Sequence, residues 1–336
     1  MDLLVAEPLE AEVLDWLDAR HEVFYAPRIT EDARVFIDAM ARTRTVLLPP
    51  RVAVDRRLLA RAPRLQGIGR IVGGLENIDL QACARAQVHI LRCLDAAAPA
   101  EAEFMLGALM ALLRPDPRER ERFAGRELGH STVGLLGMTA SGRHLGRLLP
   151  TLGTRVIGYD PAIHASDPSW QRWGVAPRSL RELFEQSDAV CVQMDCYARH
   201  TGLLGERVLG WSKPGQVLVS VAPIDLFDAA ALAEALRSHR LTAAWFDHAG
   251  PEVRSAGHPL HGVRGLVTTP RLAAYTREAR LRSAWGVARR INHLLRQPAP
   301  RAPAAPVTLR DRIDQLERSV MPPVAAAATA ASPASR

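Results

Sequence analysis

The chain opens on a short apolar run, Leu3-Leu4-Val5-Ala6, and then places Val13, Leu14 and Leu17 at helical spacing. That is the pattern of a strand followed by an amphipathic helix. The alternation continues through Val46–Leu48, Leu65–Ile71 and Val88–Leu91 as strands, with Asp79–Ala86 as a helix. Glu101–Arg114 reads as a long apolar helix and Gly125–His130 as a polar connection. A second series of strands begins at Thr132: Val133–Leu136, Arg155–Tyr159, Ala189–Gln193, Val217–Val221, Ala243–Phe246 and Leu266–Thr268. Helices are expected near 142–151, 179–186, 228–238 and 276–296. Strand and helix alternating at this pace predict an α/β protein with parallel sheets. The six strands of the second series predict a doubly wound nucleotide-binding domain.

From Gln297 the pattern breaks down. Pro298-Ala299-Pro300-Arg301-Ala302-Pro303 reads as an extended linker. Thr308–Val320 has an N-cap residue and apolar Leu309, Ile313, Leu316 and Val320 at helical spacing. That helix could dock on a partner subunit or hang as a loose appendage. The Ala/Ser-rich stretch Val324–Arg336 is expected to be disordered.

Composition narrows the class without naming a function. The 336 residues are enough for two ordinary domains, and 48% hydrophobic with 24% charged is a globular profile. The longest apolar run, Phe104–Leu113, is too short to span a bilayer, so no membrane role is expected. Cys83, Cys93, Cys191 and Cys196 form no disulfide framework and no metal-ligand spacing, which suits a reduced, cytoplasmic protein without a metal. The net charge is +7, with Lys213 as the sole lysine. Arginines are mixed with acids along the chain and aromatics are only 5%, so nucleic acid is not an expected partner. A small anionic ligand fits the charge better.

The clearest motif is Thr132-Val133-Gly134-Leu135-Leu136-Gly137-Met138-Thr139-Ala140-Ser141-Gly142. A strand runs into a turn in which Gly137 and Gly142 have the spacing of the first and third glycines of GxGxxG. Asp160 ends the next strand, where an acid holds a ribose hydroxyl pair and repels a 2′-phosphate. The helix start, including Ser141, would offer N–H groups to a pyrophosphate. Thr139 stands where the second glycine would let the pyrophosphate reach the backbone. Weak binding of NAD is one expectation. A loop that keeps its shape without its ligand is the other.

The segment from Gly125-Arg126-Glu127-Leu128 through Val156-Ile157-Gly158-Tyr159-Asp160-Pro161 resembles the D-isomer-specific 2-hydroxyacid dehydrogenase family, phosphoglycerate dehydrogenases and hydroxypyruvate reductases among them. Asn77-Ile78-Asp79, Ser187-Asp188, Lys213-Pro214-Gly215, Asp228 with Ala231-Leu232, and Thr269-Pro270 extend the likeness over about residues 1–297. The resemblance implies two lobes, each a doubly wound parallel sheet. One is a flavodoxin-like substrate domain, residues 1–97 with 286–297. The other is a Rossmann-type NAD domain, residues 98–285, followed by the Pro/Ala-rich tail 298–336. It also implies a homodimer formed through the NAD domain.

In the resemblance three side chains carry the chemistry, and two are replaced here. Pro223 occupies the position of a carboxylate-binding arginine, and Arg271 that of the proton-carrying histidine after Thr269-Pro270. Asp247, which would face the nicotinamide, and Glu252, which would polarise the histidine, are kept. Glu252 is then either a catalytic acid or a solvated loop acid. The loop over the cofactor reads Gln193-Met194-Asp195 in place of H-x-P, and the substrate loop is Val72-Gly73-Gly74, with Gly73 and Gly74 as its candidates. Arg271 cannot relay protons, because guanidinium stays charged, but its planar fork can clamp a carboxylate. His248, His258 and His261 lie nearby in sequence, each ordinarily a surface residue. Two functions remain open. One is a divergent oxidoreductase on a small 2-hydroxy or 2-oxo acid, its ordinary activity reduced or lost. The other is a non-catalytic dimeric scaffold or ligand sensor on the same fold.

Overall fold

The computed structural model describes residues 1–75, 77–114, 125–194 and 200–297. The expected linker, the helix at 308–320, the tail, Asp195 and Cys196 lie outside the described residues. Residues Met1–Leu294 form one compact unit containing two sheets. Among the described residues no helix is long and apolar enough to cross a membrane.

The first sheet comprises β1 (Leu3–Val5), β2 (Val23–Tyr25), β3 (Thr45–Leu47), β4 (Gly67–Gly69) and β5 (His89–Leu91), in the order β2-β1-β3-β4-β5. Every pairing is parallel, from Leu3 opposite Val23 to Gly67 opposite His89. This is the flavodoxin-like order. The second sheet comprises β6 (Thr132–Leu136), β7 (Arg155–Tyr159), β8 (Ala176–Pro177), β9 (Ala189–Val192), β10 (Gln216–Pro223), β11 (Leu241–His248) and β12 (Leu266–Thr268). Its order is β12-β11-β10-β9-β6-β7-β8, again all parallel. Strand order reverses between β6 and β9, where a doubly wound sheet opens a crevice at its carboxyl edge. All six strands expected in this sheet are present. Two others were not legible. Val23-Phe24-Tyr25 is an edge strand whose aromatics face solvent, and Ala176-Pro177 is too short to carry a pattern.

Side-chain size decides how the chain returns to the first sheet. The helix Arg277–Arg296 follows the second sheet but packs on β4. A Cβ at Gly69 would sit 2.9 Å from Val287 and 3.3 Å from Ile291, and one at Gly67 would sit 2.6 Å from Leu294. Glycines at both positions let the helix approach the strand backbone. Polar contacts fix its register: Ser283 Oγ donates to the Ile71 carbonyl (2.6 Å) and Arg280 Nε to Glu10 (2.8 Å). Trp285 meets Trp16 edge-on, with centroids 5.7 Å apart.

Overpacking a close-packed core costs about 1–3 kcal/mol. Gly69→Val should therefore lower the urea midpoint with little change in the slope of the transition. An unchanged midpoint would show that the helix does not depend on that glycine.

Candidate functional site

The nucleotide loop is built as the motif requires, with one difference. Gly137 has a φ of 95°, which only glycine adopts cheaply, and its N–H donates to the Tyr159 carbonyl (2.8 Å). A Cβ at Gly137 would meet the Met194 backbone at 3.0 Å, and one at Gly142 would meet the Gly137 carbonyl and the Gln193 side chain. Gln193, 4% exposed, donates from Nε2 to the Gly137 carbonyl (2.6 Å) and braces the turn from behind. Asp160 accepts from Met138 N (2.7 Å) and Ala162 N (2.8 Å), leaving further lone pairs on the same carboxylate.

Thr139 is the N-cap of the helix Ala140–Leu148 in an ordinary extended conformation, so it causes no backbone strain. Its hydroxyl faces Gly142 N at 3.5 Å and so competes for one of the amides a pyrophosphate would use. Ser141 is turned away from the loop. Its hydroxyl bonds to the Glu101 carboxylate on the helix Ala98–Leu112. Burial pushes the Glu101 carboxyl above its ordinary range; the Ser141 hydrogen bond opposes this and the Asp247 charge adds to it. Arg143, in the first turn, donates to the Met138 carbonyl (3.3 Å) and puts a cation beside the loop.

At the carboxyl end of the same sheet, Asp247 closes β11 and is only 4% exposed. Its carboxylate accepts from Thr269 Oγ1 (2.6 Å), Leu272 N (2.8 Å) and Ala273 N (2.8 Å). Its own carbonyl accepts from Arg271 N (2.6 Å). Asp247 is therefore the anchor of the segment 269–273. Arg271 is held with a φ of 57°, a left-handed conformation uncommon for a side-chain-bearing residue. Its guanidinium lies against His248 and donates from Nη2 to Nε2 of the ring. Glu252 is exposed, its carboxylate folded back over Gly250. The structure thus brings Arg271 to His248, and places Glu252 in the short turn Pro251–Arg254.

The first sheet adds to the candidates Gly73 and Gly74 two residues that the sequence pattern did not single out, Arg70 and Glu7. Arg70 follows β4 and is 2% exposed, with Nη2 donating to Asn77 Oδ1 (3.2 Å). Asn77 in turn donates to the carbonyls of Pro50 (2.6 Å) and Val52, tying the loop after β3 to the loop after β4. Gly73, with φ 82°, passes beside Pro50, and Gly74 follows it. Glu7, just beyond β1, is 3% exposed. Burial raises its carboxyl to about 7, against the opposing pull of the Arg280 and Arg70 cations. All these residues lie at the carboxyl edge of a parallel sheet, the edge where α/β folds bind ligands. The signal for Arg70 was present in its place beside a glycine-rich turn at a strand end. Glu7 had no local signal.

Comparison with known proteins agrees with this geometry. A sequence profile described as "D-isomer specific 2-hydroxyacid dehydrogenase, NAD binding domain" matches residues 91–273. The chain is 31% identical over 294 residues to a (S)-sulfolactate dehydrogenase of Chromohalobacter salexigens, covering 84% of this chain and 95% of that one. It is 27% identical over 291 residues to a D-3-phosphoglycerate dehydrogenase of Archaeoglobus fulgidus, covering 84% of this chain but only 55% of that longer enzyme. A D-isomer specific 2-hydroxyacid dehydrogenase of Lactobacillus delbrueckii ssp. bulgaricus, solved in an NAD-complexed form, has the same fold. There the TM-score is 0.72 at 19% identity, over 90% of this chain and 99% of that one.

The raised Glu7 carboxyl has a definite consequence for stability. Between about 4.5, its ordinary value, and about 7, the folded protein binds more of this proton than the unfolded chain does. Stability should therefore fall as pH rises through that window. Glu7→Gln should remove this part of the fall in a series of urea titrations. An identical pH slope in the variant would show that Glu7 is charged in the folded protein.

Proposed function

Because the chain belongs to the D-isomer specific 2-hydroxyacid dehydrogenase family, we propose that it is an NAD-dependent oxidoreductase that interconverts a small anionic 2-hydroxy acid and its 2-oxo acid. The observation that carries this reading is Arg271. Its guanidinium is permanently charged, its backbone is held by the four hydrogen bonds that Asp247 accepts from residues 269–273, and its side chain meets His248. A planar fork at the carboxyl edge of the nucleotide-binding sheet suits a substrate carboxylate. It stands in for the arginine absent at Pro223.

The residues of the loop fit a dinucleotide. The first-turn amides of Ala140 and Ser141, aided by Arg143, would hold the pyrophosphate, and the spare lone pairs of Asp160 would hold the ribose hydroxyls. Asp160 favours NAD over NADP, since a 2′-phosphate would meet its charge. The Thr139 hydroxyl, engaged with Gly142 N, weakens the site without closing it. The bound nicotinamide supplies the acceptor or donor of a hydride at the substrate's C2. Residues 98–285 would form the NAD domain, and 1–97 with 286–297 the substrate domain, where Gly73, Gly74 and the buried Arg70 face the substrate. Arg70 suits a second anionic group, such as the sulfonate of sulfolactate. Glu252, folded over Gly250, has no part in the chemistry on this reading. A homodimer through the NAD domain is supported by the helix Ala98–Leu112, where Met110 is exposed and Gly107 has open space beside it.

Two measurements test the reading. In a fluorescence titration NADH should bind more tightly than NADPH, and Thr139→Gly should tighten NADH further. In an assay with NADH and glyoxylate, hydroxypyruvate, phosphohydroxypyruvate or sulfopyruvate, at least one acid should be reduced. Arg271→Ala should lower kcat/KM about 10- to 100-fold, the loss of a charge-assisted hydrogen bond of roughly 1.5–3 kcal/mol. No NADH binding and no turnover would leave a non-catalytic scaffold or ligand sensor as the better description.

A further inference from the structure

We infer that His248 carries the proton in this reaction, so that carboxylate binding and proton transfer are done by a touching Arg271–His248 pair. The inference rests on the oxidoreductase reading above and assigns it a group that neither Pro223 nor Arg271 can supply. Proline has no side-chain donor, and guanidinium does not give up its proton. A histidine titrates near neutrality and can do so.

The sheet register places His248 between the two replaced positions. On one side Pro223 of β10 is paired with His248 of β11. On the other, an isolated bridge joins His248 to Pro270, the residue before Arg271. An arginine at 271 and a histidine at 248 therefore occupy the same end of the sheet as the pair implied at 223 and 271, in a different arrangement. The contact between Arg271 Nη2 and His248 Nε2 shows that the two side chains meet. A 2-hydroxy acid presents a carboxylate oxygen and its C2 oxygen within a hydrogen-bond length of each other. Two recognising groups in direct contact match that spacing.

The neighbouring histidines do not share this placement. His258 Nδ1 accepts from Leu260 N (3.2 Å), and His261 Nδ1 meets the Arg254 carbonyl (2.8 Å), both within their own loop. Arg271, by contrast, is kept in its left-handed conformation by hydrogen bonds on either side of it. Backbone held in a sparsely populated region by surrounding bonds is characteristic of sites where a side chain must be aimed.

The contact with Arg271 also sets the tautomer of the ring. Nε2 accepts from Arg271, so the neutral ring carries its proton on Nδ1. When a 2-hydroxy acid binds, its carboxylate takes the Arg271 donors and Nε2 becomes free to accept from the hydroxyl. The O–H bond breaks, an N–H bond forms at Nε2, and the O–H electron pair becomes the second bond of the C2 carbonyl. The hydrogen on C2 leaves with its electron pair to the oxidised nicotinamide dinucleotide. Reduction of the 2-oxo acid is the reverse, with the imidazolium returning the proton to the carbonyl oxygen.

The test uses the full chain loaded with NADH. With the 2-oxo acid that the wild type reduces best, His248→Gln should lower kcat about 10²- to 10⁴-fold, the usual contribution of a positioned acid or base. The NADH dissociation constant and melting temperature should stay close to wild type. Independently of turnover, adding oxamate, a non-reacting 2-oxo acid mimic, to the NADH-loaded wild type should shift the ring ¹⁵N resonances of His248. If the wild type turns over and His248→Gln does so equally well, the inference is wrong and the oxidoreductase reading stands. An active wild type whose His248 resonances ignore oxamate would likewise overturn the inference and leave that reading in place. A wild type inactive with all four acids overturns both.

Discussion

The buried carboxylate of Asp247 governs the arrangement of the site. Taking a charged carboxylate out of water is costly unless donors surround it. Here the Thr269 hydroxyl and the backbone N–H groups of Leu272 and Ala273 do so. One acid at the end of β11 thus dictates the path of the chain leaving β12. That path puts Arg271 beside His248, and it launches the helix Arg277–Arg296 towards the first sheet. Removing the carboxylate would leave backbone donors unsatisfied at the point where the two sheets are joined.

Two other features follow from the same economy of polar groups. Asp188 starts β9 from a nearly buried position. Burial works to raise its carboxyl, but Lys213 (2.7 Å), Thr132 N (2.8 Å) and Arg126 together hold it below its ordinary value. It binds the amino ends of the central strands together, opposite the ligand edge. At the carboxyl edge the Gln193 amide takes up the Gly137 carbonyl, supporting the turn in the position where the family resemblance implies a histidine. The Gly137 turn is thus braced from within, even though several residues expected to touch ligands differ from those the resemblance implies.

The changed residues are not scattered. Pro223, His248 and Pro270 are neighbours in the sheet register, and Arg271 follows Pro270 with its side chain against His248. Thr139 and Gln193 both lie along the Gly137 turn. The first group keeps a cation, Arg271, at the end of the sheet, and in the second Gln193 braces the Gly137 carbonyl.

Periodicity and motif spacing in the sequence were enough to give the α/β class and the doubly wound second sheet, and the family resemblance supplied the flavodoxin-like first one. The apolar runs marked all but two strands, and these failed for physical reasons: Val23–Tyr25 is an exposed edge, and Ala176–Pro177 is two residues long. Gly137, Gly142 and Asp160 were legible because backbone conformation and charge at a strand end are local properties. The partners of each side chain were not, since they come from distant segments. The Ser141 hydroxyl, for example, bonds to Glu101, 40 residues away. The Asp247 carboxylate takes its partners from the loop 269–273, more than twenty residues further on. Glu7 carried no local signal, and burial just beyond β1 raises its carboxyl against the pull of Arg280 and Arg70. His248 was one of three nearby histidines, and strand register alone singled it out. A sequence states what each residue can do locally, whereas contact with a partner far along the chain depends on how the two sheets and their loops come together.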